Sequence, residues 1–195
     1  MTGGRERWSG GVARGAGRLH ASVEPPPLTP TQIADLMRSS TAAIEAETRA
    51  APAALLSWHP APGEWCVKEV LGHLIEADRR GFVGRVEALL ASDGGDLQGW
   101  DQQEVAATRH DCDRDPEELL GELHALRERG FRVVGTLAPA DLARHGRHPR
   151  VGDLSVGDVI QEWVHHDRNH LKQLLSNIQA YVWPHMGAAQ GFSGE

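Results

Sequence analysis

Four stretches of this chain repeat apolar residues every three or four positions, and each opens on a helix start signal, so the sequence must pack helices against one another. The first begins with Thr29 as a capping residue, Pro30 in the first helical position and Gln32 as its reciprocal cap, followed by Ile33, Leu36, Met37 and Ile44. The second begins with Cys66 where a capping Ser usually stands and Glu69 three residues on. Its stripe is Val67, Val70, Leu71, Leu74, Phe82, Val86 and Leu89. Asp115, Pro116, Glu117 and Glu118 open a third helix, which carries Leu119, Leu120, Leu123, Leu126, Phe131, Val134 and Leu137. Ser155 with Asp158 opens the fourth, which runs to about Tyr181. No run of alternating apolar and polar residues competes with these periods.

The expected architecture is therefore all-α, a four-helix bundle whose core takes one stripe from each helix. Its second and third links are about twenty and fifteen residues long, more than antiparallel neighbours need. Such links can cap one end of a bundle and carry function, and Asp101 to Glu104 reads as a short extra helix within the first of them. The bundle is expected over residues 29–182. Residues 1–28, rich in Gly, Arg and Pro, cannot bury a continuous face and are expected to be a disordered tail; residues 183–195 are expected to be a flexible C-terminal tail.

The net charge of −7 argues against nucleic acid as a partner. No long apolar run suggests a membrane span and no secretory signal opens the chain, so a cytoplasmic protein is expected. The two cysteines, Cys66 and Cys112, lie in segments that look unrelated, and reduced thiols are the expectation.

The chemistry-bearing stretch is HHDRNHLKQL, His165 to Leu174. At about 100° per residue, Val156, Ile160, Val164, Leu171, Leu174 and Ile178 form the core arc of the fourth helix. His165 falls opposite, toward water. His166 and His170, four apart, stand one above the other at the border of the arc. His73 holds the equivalent edge position on the second helix. Three neutral imidazoles from two helices are a common protein contribution to a divalent metal site with a position left open, although an H-x-x-x-H pair is also what edge histidines hydrogen-bonded to carboxylates would give. No Glu follows the first histidine, which disfavours zinc peptidase chemistry. Asp78 and Asp167 fall near the middle of apolar arcs, where a carboxylate needs a partner. Either they orient the ligand histidines or bind an indole N–H, or they tie helices together.

Other features carry less. Asp111 to Glu122 imitates a calcium loop, but Pro116 stands where the turn demands Gly. Cys66 precedes His73 by seven residues, about 10 Å of helical rise, too far to share one ion. His145 and His148 are loop histidines, and Trp58, Trp65 and Trp163 read as core.

APGEWCVKEVLGHLIEAD, the loop WDQQE, DPEELLGELHALR and GRHPRVGDLSVGDVIQEWVHHDRNHLKQL together resemble the DinB-like family of bacterial four-helix proteins, related to bacillithiol S-transferases and mycothiol-dependent maleylpyruvate isomerases. The similarity runs from about Thr29 to Tyr181. Cys66 departs from the family's usual Ser or Thr. The resemblance implies that His73, His166 and His170 bind a divalent metal (Zn, Ni, Fe or Mn), that a low-molecular-weight thiol is the cosubstrate, and that a small-molecule electrophile is its target. It also implies that Trp100 and Asp101 shape the substrate entrance, and it suggests a homodimer. A non-catalytic bundle that binds a small ligand, its metal structural or absent, is the alternative.

Overall fold

The computed structural model describes residues 24–193. The first 23 residues of the expected N-terminal tail lie outside that range. Helices α1 (Pro30–Ala50), the single turn α2 (Ala53–Leu56), α3 (Val67–Glu76), α4 (Val83–Ala91), α5 (Gln102–Arg109), α6 (Pro116–Gly135) and α7 (Val156–Val182) account for most of it. The start signals act as anticipated: Thr29 and Gln32 cap α1 reciprocally, Ser155 and Asp158 do the same for α7, and the Asp115 side chain accepts from Glu117 N–H at the head of α6. After α7 the chain continues in 3-10 turns at Trp183–His185 and Gly187–Phe192. No described helix is long and apolar enough to cross a membrane.

The second bundle helix is α3 and α4 joined through a π-helical turn, Ala77–Phe82. A π-turn inserts an extra residue and rotates everything beyond it relative to a regular helix. Gly84 permits this one, because a Cβ there would meet the Arg79 carbonyl oxygen at 2.4 Å. The turn brings Asp78 fully inside while it sets Phe82 against the wall of the candidate site.

Helix α1 packs on α6 and α7, and the α3–α4 helix packs on the same two, so α1 lies diagonally across from α3–α4. Side-chain pairs fix the directions. Lys68 meets the turn at 112–114 and Glu87 meets Arg129, so α3–α4 and α6 run parallel. Arg49 meets Glu117 while Arg38 lies over Phe131, so α1 and α6 are antiparallel. Gln161 meets Leu28 and Arg168 meets Leu36, so α7 runs parallel to α1 and the order is up, down, down, up. Because α6 repeats the direction of α3–α4, the chain must return the length of the bundle between them, which is the reason for the long 92–115 link.

The link between α6 and α7 departs from the all-helical expectation in one place. It holds an antiparallel hairpin, β1 (His145–His148) and β2 (Gly152–Ser155), turning at Pro149 with Gly152 at φ +79°. Arg147 N–H donates to Gly95 O at 2.9 Å, and Leu97 N–H donates to Arg147 O at 2.8 Å. The two long links are therefore zipped together over one flank of the bundle. The sequence hid this because four-residue strands that close on a Pro and a Gly show no period.

Two apolar clusters fill the interior. One gathers Ile33, Met37, Phe82, Val86, Phe131, Val134, Ile160 and Trp163; the other gathers Ile44, Val70, Leu71, Leu74, Leu119, Leu123 and Leu174. Between them runs a polar layer, with Asp78, Arg127 and Asp167 all at 0% exposure. Arg127 bridges the carboxylates, its Nη2 donating to Asp167 Oδ1 at 2.8 Å and its Nε lying 2.6 Å from Asp78 Oδ2. Trp163 Nε1 donates to Asp78 Oδ1 at 2.9 Å, and its ring fits because Gly130 has no Cβ to strike it.

Candidate metal centre

His73 reaches inward from α3, and His166 and His170 reach toward it from successive turns of α7. Their ligand nitrogens lie within 4.8 Å of one another. The Nε2 atoms of His73 and His166 face each other at 3.1 Å, and the His170 ring centroid is 4.4 Å from each of the other two. Aromatic walls hold the rings in place: Trp65 and Trp100 flank His73 at 5.0 and 6.1 Å, and Phe82 meets His166 edge-on at 5.0 Å. His165 points to solvent, as its place on the helix requires.

Burial, with the neighbouring His170, pushes the His73 pKa down to about 3. Burial together with His170 and His73 pushes His166 down to about 2, and burial lowers His170 as well. All three are neutral near pH 7, which is the form that donates a lone pair to a cation. Three tetrahedral nitrogens at about 2 Å from an ion stand roughly 3.3 Å apart, close to the spacing of His73 and His166. A neutral imidazole has one N–H, so two facing Nε2 atoms share at most one proton and otherwise repel. The Nδ1 atoms of both rings are buried without a partner among the described residues. Among the described residues, His170 is the one of the three with a partner for its Nδ1, Gln173 Oε1 at 2.9 Å. The residues present fit a divalent cation.

Asp78 and Asp167 sit one layer away, and neither hydrogen-bonds a histidine. Both are committed to Arg127, and Asp78 also to Trp163. Of the roles open to them in the sequence, Asp78 binds an indole N–H, and through Arg127 both carboxylates tie α3–α4, α6 and α7 together. Sequence reasoning missed Arg127 and Gln173. Arg127 lies four residues after Leu123 on the core stripe of α6, where two inward acids on other helices needed a cation.

The histidine cluster opens on one side into a cleft of about 440 Å³, whose wall includes Phe82, Trp100, Asp101 and Glu162. Asp101 is the N-cap of α5, its Oδ1 accepting from Gln103 and Glu104 N–H at 2.8 and 3.1 Å. Arg85, Arg150 and His148 make the far wall. Arg85 Nη2 lies 3.0 Å from His148 Nε2, and neither arginine has a carboxylate partner among the described residues.

The DinB superfamily model matches residues 13–174. The chain belongs to that superfamily. A protein of Oceanobacillus iheyensis described as a candidate metal-dependent hydrolase is 26% identical over 121 residues, covering 62% of this chain and 69% of that one. A second, from Bacillus mycoides and described in the same words, is 22% identical over 121 residues, with the same coverage. Among solved structures, YfiT from Bacillus subtilis superposes with a TM-score of 0.73 at 17% identity, over 88% of this chain and 96% of YfiT. YfiT is itself described as a four-helix bundle of unusual topology. At that identity the likeness establishes the shared bundle, and the up, down, down, up order gives a physical sense in which a DinB bundle departs from the ordinary alternating one.

Proposed function

We propose that this protein is a metal-dependent enzyme that activates a low-molecular-weight thiol for attack on a small electrophile in the cleft, with His73, His166 and His170 as the metal ligands. The observation that carries the reading is the convergence of three neutral imidazoles, two of which, His73 and His166, line an open cleft rather than a sealed core. A divalent ion held there supplies Lewis acidity and lowers the pKa of a bound thiol or water. The donor set accepts Zn, Ni, Fe or Mn.

The chain's own residues supply the rest. Phe82 and Trp100 shield the imidazoles from bulk water, which strengthens every charge interaction at the cleft floor. Arg85, Arg150 and His148 form a wall rich in donors that suits a carboxylate or comparable anion on the thiol or the electrophile. Arg85 Nε is buried without a partner among the described residues, so an anion there would fill an open donor. The descriptions of the relatives as candidate metal-dependent hydrolases favour a second reading, in which water takes the place of the thiol.

The test is elemental analysis of untagged protein alongside turnover with several thiols and a generic electrophile. His166→Ala and His170→Ala should each lose one equivalent of metal, and His165→Ala none. Thiol conjugation should be faster with metal-loaded than with metal-free protein. Ester or amide hydrolysis without thiol conjugation would replace the first reading with the second, and unchanged metal in His166→Ala would overturn both.

A further inference from the structure

At the opposite end of α3 from His73, a second group of donors comes together from the segment 59–69 and from a turn more than forty residues further along the chain. His59 from the loop after α2, Cys66 and Glu69 from the start of α3, and Cys112 from the 3-10 turn Asp111–Asp113 place their ligand atoms within 4.8 Å of one another. His59 Nε2 lies 3.0 Å from Glu69 Oε2 and 3.6 Å from Cys112 Sγ. In a tetrahedral zinc site, with Zn–S about 2.3 Å and Zn–N about 2.0 Å, neighbouring ligand atoms stand roughly 3.3 to 3.8 Å apart. The four side chains need to shift only slightly to meet that.

The surroundings hold these donors in place. Lys68 is buried with no carboxylate partner among the described residues; its ammonium donates to Cys112 O at 2.7 Å and Arg114 O at 2.8 Å, clamping the turn that carries Cys112. Ser57 Oγ donates to the same Cys112 carbonyl at 3.2 Å. Glu69 Oε2 accepts from Cys66 N–H at 2.8 Å, which fixes the carboxylate beside the thiol. Helix capping explains Cys66 and Glu69 but neither Cys112 nor His59. Cys66 lies wholly inside the protein, in a different group from the histidine triad, consistent with its distance from His73 along the helix.

We propose that His59, Cys66, Glu69 and Cys112 bind a second divalent ion, most suitably Zn²⁺, in a closed four-ligand structural site that ties the start of α3 to the turn before α6. Two sulfur donors, an imidazole and a carboxylate match the softness of zinc. Four protein ligands leave no open coordination position, so this ion stabilises the fold and does not act on substrate. Burial raises both thiols above their ordinary pKa, so each must give up its proton as the ion binds. Because α6 runs parallel to α3–α4, this junction has no short connection to secure it, and a metal cross-link would do so.

The full-length, untagged, reduced protein should be stripped of metal and titrated with Co²⁺. The wild type should take up two equivalents and develop a near-ultraviolet thiolate-to-cobalt charge-transfer band. Cys112→Ser should take up one equivalent without that band, and His166→Ala one equivalent with it. His59→Ala, at a partly exposed position outside the helices, should keep the wild-type circular dichroism while its thiolate site binds at least about ten-fold more weakly. Two outcomes would overturn the proposal: absence of the band in reduced wild type, or recovery of Cys66 and Cys112 as a disulfide with no thiol-dependent uptake after reduction. The histidine centre is read separately by His166→Ala, so failure of either site is distinguishable from failure of the other.

Discussion

The Arg127 layer and the histidine cluster occupy neighbouring turns of α7, and they treat buried polarity in opposite ways. At Arg127 two carboxylates and an indole surround one guanidinium, and the protein itself supplies the counter-charges. At His73 and His166 the imidazoles are uncharged and bring two Nε2 atoms face to face, with at most one proton between them. The first arrangement is finished by folding; the second is prepared for something the chain does not contain. Buried charge that is internally complete holds helices in place, whereas buried lone pairs left uncommitted mark the place where chemistry is done.

The sharpest way to break the comparison is to remove the cation. Arg127→Met should leave Asp78 and Asp167 buried and facing each other, costing about 3–5 kcal/mol of stability by urea unfolding. His166→Ala removes no charge from the metal-free protein and should cost less than half as much by the same measurement, while abolishing metal binding at the triad. Equal losses in the two variants would mean that the histidines too are structural.

A smaller effect, of the same origin, is read from pH. His73 and His166 have folded pKa values of about 3 and 2, below the ordinary 6.5 of the unfolded chain. Their contribution is fully present above pH 6.5 and is lost as pH falls toward the folded values, at roughly 1.4 kcal/mol per unit for each group once well below 6.5. Burial pushes Asp78 the other way, up to about 7, against the pull of Arg127. That single carboxylate gains stability between pH 7 and 4 and offsets at most one histidine. Metal-free protein should therefore lose roughly 1.4 kcal/mol or more per unit between pH 6 and 4.5, and His166→Ala should flatten that slope. A slope that survives in His166→Ala and His73→Ala would assign the pH dependence to other groups.

The four helices and their caps could be read directly because each depends on residues within a turn or two: Thr29 with Gln32, Ser155 with Asp158, Asp115 with Pro116. The histidine trio was legible for a similar reason, since two members share one helix and the third lies at a stripe edge. What stayed hidden depends on partners distant in sequence. The parallel run of α3–α4 and α6 leaves no periodic trace, and the π-turn depends on Gly84 admitting one carbonyl. His59 and Cys112 have no motif spacing to Cys66. Arg127, flanked by Glu128 and Arg129, looks like part of a solvated charge run until its position on the stripe is compared with Asp78 and Asp167 on the other helices.

The finest distinction lies within the triad itself. Among the described residues His170 alone of the three has a partner for its second nitrogen, Gln173 one turn further along α7, so its ring enters any complex already oriented. The other two rings are positioned by aromatic contact rather than by a hydrogen bond. Gln173 is partly buried and, in the metal-free protein, holds a neutral donor–acceptor pair of about 1 kcal/mol or less. Gln173→Ala should thus leave the melting temperature almost unchanged while weakening metal affinity at the triad about ten-fold, measured by competition with a chromogenic chelator. Gln173→Glu, which keeps an acceptor at the same distance and adds a charge, should restore or exceed wild-type affinity. If both variants bind as the wild type does, His170 is oriented by packing like its two neighbours, and the aromatic walls of Trp65, Trp100 and Phe82 become the residues that set the geometry of the centre.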